Sequence, residues 1–117
     1  MQMNVRYKKD RKLSDALIER AEKKMDHIAI HLEEDHPVHV ILSSEKEGDI
    51  AEVSLHYKGH DIFAKSVGKN MFESLDEATA NACRQFEKIY EKLKGHRGME
   101  TVREEDTLAK LNLIEDE

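Results

Sequence analysis

The sequence predicts an α+β domain with the element order β-α-β-β-β-α, a four-stranded mixed sheet with two roughly parallel helices packed on one face. Three observations lead there. Two long stretches repeat apolar residues at helical spacing, four shorter ones alternate at every second residue, and only the first connection is long enough for a right-handed parallel crossover. A chain of 117 residues is large enough to bury one core without disulfide staples. The first 98 residues are expected to form that domain, and residues 99–117 an acidic tail.

The first strand is expected over residues 2–7, where Met3, Val5 and Tyr7 alternate with Gln2, Asn4 and Arg6. Residues 8–12 then form a charged loop leading to Ser14, a good N-cap, with Asp15 near the positive end of the helix dipole and Leu13 and Ile18 spaced as a hydrophobic staple. Leu13, Leu17, Ala21, Met25, Ile28 and Leu32 form the buried stripe of one helix, which should fade before His36-Pro37 because the residue ahead of a proline avoids helical angles. Val38, Val40 and Leu42 mark a second strand, and the segment 45–49 turns the chain into a third marked by Ala51, Val53, Leu55 and Tyr57. Lys58-Gly59 reads as a two-residue hairpin turn into Ile62, Ala64 and Ser66 of the fourth. The opposite sheet face should show Arg6, His39, Ser43, Glu52, Ser54, His56, Asp61, Phe63 and Lys65 to solvent.

The last helix, residues 70–94, is the most strongly patterned stretch. Met71, Leu75, Ala78, Ala82, Phe86, Ile89 and Leu93 fall within roughly ±40° of one line at about 100° per residue. Asn70 is placed to cap it with Glu73 as capping-box partner, and Gly95 to end it. Its charges are sided: Arg84, Lys88 and Lys92 occupy one flank, whereas Glu73, Glu87 and Glu91 lie across and beyond it. The first helix segregates charge with the same hand, with Arg20, Lys23, Lys24, His27 and His31 on one side and Glu19, Glu22 and Asp26 on the other. Pairing within one helix would mix the signs, so these flanks are built to meet something outside it. Either the basic flank of one helix meets the acidic flank of the other, or the basic flanks meet an anionic partner such as a phosphate backbone. One groove between two helices satisfies only one basic flank.

The formal charge of −6 speaks against a nucleic-acid partner only until its distribution is read. Residues 99–117 hold seven acids against Arg103 and Lys110, a net of −5, so the first 98 residues carry about −1. Leu108, Leu111, Leu113 and Ile114 give that tail an apolar side for docking. The N-terminal residues lack the apolar run of a signal peptide or membrane span, and one cysteine forms no internal disulfide framework, so a cytoplasmic protein is expected. The seven histidines match no zinc-site spacing, Cys83 has no histidine or acid placed by local sequence to activate it, and no Walker, GxGxxG or GxSxG pattern is present. No enzyme, metal, cofactor, membrane or small-molecule substrate is expected.

In order along the chain, MQMNV, SDAL opening the first helix, HVILSSEK, AEVSLHYKGHDIFAKS, NMFESLDEA and RQFEK resemble the ribosome hibernation promoting factor and ribosome-associated inhibitor A family, also called sigma-factor modulation or light-repressed proteins. The resemblance covers about residues 1–95 and is to the family's short form; the acidic tail is more similar to the inhibitor A branch. It implies the same β-α-β-β-β-α fold and a non-enzymatic protein of stressed or stationary-phase bacteria or plastids. Such a protein docks in the small ribosomal subunit across the transfer RNA and messenger RNA sites, silences translation and is monomeric off the ribosome. It further implies ribosomal RNA contacts from Lys24 and His31 of the first helix and from Arg84, Gln85 and Lys88, which match the family's RQxxK pattern. Arg20, Lys23 and Lys92 join that set from sidedness alone. Basic positions common in the family are occupied here by His27, Ile30 and Asn81, and Glu87 and Glu91 add acid nearby. The alternative is a protein-binding regulatory module acting through the open sheet face or the tail.

Overall fold

The computed structural model describes residues 1–9 and 13–94. The elements are β1 (Gln2–Tyr7), α1 (Asp15–Lys24), α2 (Asp26–Ala29), β2 (Pro37–Glu45), β3 (Gly48–Tyr57), β4 (His60–Gly68) and α3 (Met71–Lys94). The strands lie in the order β1-β2-β3-β4, with β1 and β2 parallel and the other two pairings antiparallel. The parallel join is the crossover expected from the sequence, and the remaining strands form the expected meander. The chain divides at residue 87 into two units, the second containing the last turns of α3.

In the first unit, the inward residues are those the alternation marked. Val38, Val40 and Leu42 of β2, Ala51, Val53, Leu55 and Tyr57 of β3, and Ile62 and Ala64 of β4 are buried under Leu17, Ala21, Leu75, Ala78, Ala82 and Phe86 of the helices. The Tyr57 and Phe86 rings pack with centroids 4.6 Å apart, within the range of favourable tilted aromatic pairs. Met3, Val5 and Tyr7 of the outer strand β1 are half-buried. On the opposite sheet face Phe63 is 54% and Val67 44% exposed, but Ser43 and Ile50, which the register sets side by side there, are both buried. Ser43 thus does not show to solvent as expected.

Two turns depend on backbone that side chains rarely adopt. At Lys58-Gly59 both residues have positive φ, 47° and 84°, the requirement of a type I′ hairpin turn. The turn between β2 and β3 is tighter than expected, Lys46 and Glu47 alone, because Gly48 already pairs with Glu45. A Cβ at Gly48 would stand 2.6 Å from the Gly68 carbonyl oxygen, so only glycine brings the two strand ends together.

The first helix is capped as read, with the Leu17 amide donating to Ser14 Oγ at 3.2 Å, but it does not run on to Leu32. It stops at Met25, whose φ and ψ of −103° and 11° leave the helical region, and α2 restarts at Asp26. The charge pattern fits this break: Lys23 and Lys24 sit in the last turn of α1 and Asp26 in the first of α2, each sign at the dipole end that favours it. Met25 and Ile28 remain fully buried, so the apolar stripe survives the interruption.

At the start of α3, Asn70 Oδ1 accepts from the Glu73 amide at 2.9 Å, and Glu73 Oε1 accepts from the Lys69 amide at 2.7 Å. The reciprocal bond therefore reaches one residue further back than a standard capping box. In the second unit, the described residues are the last turns of α3. Ile89 is half-buried there, and Leu93, expected in the buried stripe, is 42% exposed. A helix of 24 residues is about 36 Å long, against about 30 Å for a nine-residue strand. Gly95, the 98/99 boundary and the tail, including Leu108 to Ile114, lie outside the described residues.

Phe86 is the largest fully buried side chain. Phe86→Ala is expected to cost about 3 to 5 kcal/mol, read as a lowered denaturant midpoint with little change in its slope.

Candidate nucleic-acid interface

Among the described residues, α1 and α2 meet α3 through polar contacts at Arg20, Lys24 and His27. Arg20 Nε and Nη2 donate to the two Asp76 carboxylate oxygens at 2.7 and 2.8 Å, a fork geometry that fixes both side chains. Cys83 Sγ lies 3.7 Å from the Lys24 carbonyl oxygen, one of the carbonyls that the stop at Met25 leaves without a helical partner. His27 Nε2 is 2.7 Å from Glu87 Oε2. The residues rise together in sequence, 20, 24 and 27 against 76, 83 and 87, so the helices run in the same direction.

At about 100° per residue, Asp76, Cys83 and Glu87 fall within about 20° of one line on α3. That line faces α1. Arg84 lies about 80° around the helix from it, and Gln85 about 180°. The groove therefore takes the basic flank of the first helix against acids of α3, and α3's own basic flank starts on the other side. Of the two readings of the sided charge, inter-helix pairing holds for Arg20 and His27.

The groove leaves its mark on protonation. The Arg20 hydrogen bonds hold the Asp76 carboxyl below the usual carboxylate range, against the upward push of partial burial, with Lys24 and Arg20 adding their charge. Arg20 is raised in turn by the same bond and charge. Burial, then the charge of Glu87, pushes the Cys83 thiol up to about 11 despite the opposing Arg84. Such a thiol is not a nucleophile near neutral pH.

The acids of α3 are largely spent inside the fold. Glu73 caps the backbone, Asp76 holds Arg20, Glu77 Oε1 accepts from Ser66 Oγ at 2.8 Å, and Glu87 meets His27. Among the described residues, no group of three or more His, Cys, Asp or Glu is placed to hold a metal, and no helix is long and apolar enough to cross a membrane.

The residues read from the sequence divide by what they already do. Lys23 and Lys24 are exposed at the end of α1, and among the described residues neither forms an ion pair. Arg84 is exposed and its guanidinium donates to Asn81 Oδ1, a neutral partner that leaves its charge uncompensated. Lys88 and Lys92 are exposed residues of the second unit. Arg20 is engaged by Asp76 and stands 5.3 Å from the Phe72 ring centroid. His31 stacks on Phe86 at 6.0 Å.

Gln85 is the residue whose local role the sequence does not announce. Its Nε2 donates to the Phe63 carbonyl at 2.7 Å, and its Oε1 accepts from the Phe63 amide at 3.3 Å. The only signal pointing there is that Gln85 lies opposite the α1-facing line. Asp76 was equally missed as the partner of Arg20, although its spacing of 7 and 11 to Cys83 and Glu87 puts all three on one side.

Comparison with known proteins gives consistent matches. The family model described as sigma 54 modulation protein / S30EA ribosomal protein matches residues 4–94. A protein of Salmonella typhimurium named ribosome hibernation promoting factor is 30% identical over 84 residues, covering 72% of this chain and 88% of that protein. One of the same name from Klebsiella oxytoca is 36% identical over 59 residues, covering 50% of this chain and 62% of its own length. Among solved structures, a ribosomal subunit interface protein from Coxiella burnetii superposes with a TM-score of 0.63 at 20% identity, covering 77% of this chain and 98% of that one. The N-terminal domain of Protein Y from Thermus thermophilus gives 0.64 at 17% identity, covering 76% and 99%. At those identities the two structures show the shared fold.

The Arg20–Asp76 pair makes stability depend on acidity with a definite sign. Because folding lowers the Asp76 pKa, its contribution is present above the unfolded value of about 3.9 and lost as pH falls through the folded value. Wild type is expected to exceed Asp76→Asn in stability near neutral pH by the small margin of an exposed pair. Denaturant titrations at descending pH should show that difference closing below about pH 4.

Proposed function

Because the chain belongs to the sigma 54 modulation protein / S30EA ribosomal protein family, we propose that it is a ribosome-binding hibernation factor acting by occupancy rather than by chemistry. Its site is the small subunit near the transfer RNA and messenger RNA paths, where it contacts ribosomal RNA and keeps ribosomes idle under stress or in stationary phase. The observation that carries this reading is the direction of the two basic flanks. The groove takes Arg20 and His27 against Asp76 and Glu87, while among the described residues Arg84 is held by the neutral Asn81.

A protein with formal charge −6 binds a polyanion only if its acids are sequestered or distant. Two facts bear on this: Asp76 is paired with the Arg20 guanidinium, while Glu73, Glu77 and Glu87 are hydrogen-bonded within the fold and keep their charge, and net −5 belongs to residues 99–117. Lys23, Lys24, Arg84, Lys88 and Lys92 are the leading phosphate contacts. Arg20, His31 and Gln85 complete the set while keeping their contacts inside the fold, so their part is to hold the helices in place and to contact RNA with what remains exposed.

Co-sedimentation with isolated small subunits across a salt series tests this reading. Binding should weaken steeply with salt, and Arg84→Glu with Lys88→Glu should abolish it at moderate salt. Single Arg84→Ala or Lys88→Ala changes should each flatten the log-log salt slope by roughly 0.7 to 1. Failure to co-migrate at any salt, or indifference to the double reversal, refutes it. A partner that survives the reversal but is lost on deleting residues 99–117 would instead favour a protein-binding module.

A further inference from the structure

β4 is the outer strand of the sheet, and an outer strand presents a row of unpaired backbone groups. In an antiparallel pair, alternate residues turn their N–H and C=O away from the neighbour. The contacts of Phe63 with Gln85 set the phase on β4: Phe63 turns its pair outward, as do Asp61, Lys65 and Val67. The side-chain amide of Gln85 occupies the Phe63 position as a neighbouring strand would, donating to the carbonyl at 2.7 Å and accepting from the amide at 3.3 Å.

We propose that Gln85 closes β4 against strand addition by a second copy of this chain. Antiparallel pairing of β4 with another β4 about a twofold axis at Phe63 brings Asp61 of each copy opposite Lys65 of the other, opposite charges in both directions. It also sets the two Phe63 side chains, each 54% exposed, against one another at the axis. Asp61 is 92% exposed at its side chain and, among the described residues, bonded to His56 alone at 2.8 Å, so it remains open to a lysine from across the axis. The rung that Gln85 fills is the central one of that register. Without it, the edge offers a free backbone pair flanked by complementary charges, which is the arrangement that strand addition uses.

The full chain in sedimentation-velocity and light-scattering runs over a concentration series provides the test. Wild type is expected to remain monomeric. Gln85→Ala, which preserves helix propensity, is expected to self-associate at least tenfold more strongly. Adding Lys65→Asp should return it to monomer, and the further swap Asp61→Lys should restore the dimer. Gln85→Ala that stays monomeric with wild-type circular dichroism, or a dimer indifferent to Lys65→Asp, overturns the proposal. A second reading needs no variant to fold: in dilute wild type the Phe63 amide should exchange hydrogen at least tenfold more slowly than the outward Lys65 amide. Equal rates would show that the clamp is not made, and the proposal fails.

Discussion

The parallel crossover between β1 and β2 is the constraint on which the surface of this protein depends. It sends the first helix back in one direction, and the meander that follows delivers α3 in the same direction beside it. Two parallel helices whose charges are segregated with the same hand must bring the basic side of one to the acidic side of the other. The Arg20–Asp76 fork and the His27–Glu87 contact are that consequence in atoms. Antiparallel helices with the same sequences would have set like flank to like flank in the groove, which costs energy where this arrangement gains it.

That groove decides more than stability. Pairs this exposed contribute about 1 kcal/mol at most each, small beside the burial of Phe86, Met25 and Leu75. Their larger effect is on which charges remain available. A sequence charge counts every acid alike, whereas the field a polyanion meets is reduced where an acid is paired with a cation. Asp76 is answered by the Arg20 guanidinium, Glu87 by the His27 ring, Glu77 by a serine hydroxyl and Glu73 by a backbone amide. The remaining basic flank belongs to a helix whose acids in the first unit are already occupied.

Much of this was legible because period and chemistry agreed. Strand alternation marked the buried residues of β2, β3 and β4, and the glycine of Lys58-Gly59 marked the second hairpin. The expectation of a single groove satisfying a single basic flank came from two parallel helices whose charges, Arg20 to His31 on one and Arg84 to Lys92 on the other, are sided with the same hand. What the sequence concealed depends on three-dimensional neighbours. Met25 sits in phase on an unbroken apolar stripe, so nothing in that stripe says the helix stops there; only the Lys23-Lys24-Met25-Asp26 charge order hints at it. Ser43 reads as polar and outward, yet its neighbour across the ladder is Ile50, and their shared burial is a property of the pair. Leu93 keeps the helical period while standing 42% exposed, since periodicity records which side a residue faces and not how far cover extends.

Gln85 shows the same limit in its sharpest form. By sequence it adjoins Arg84 in a basic motif and is naturally read with it as a surface group. In the fold its amide serves the edge of the sheet, because an amide matches a peptide group in presenting one donor and one acceptor side by side. Glutamate at that position would offer only acceptors and lysine only donors, so neither satisfies both groups of Phe63. A residue can therefore adjoin a basic flank and owe its identity to a backbone pair across the molecule. By tying α3 to β4 on the side opposite the α1 groove, Gln85 fixes the rotation of the helix from which Arg84 projects. The Arg20–Asp76 ion pair and the His27–Glu87 contact hold one side of α3, the amide clamp holds the other, and the direction in which Arg84 projects follows from both.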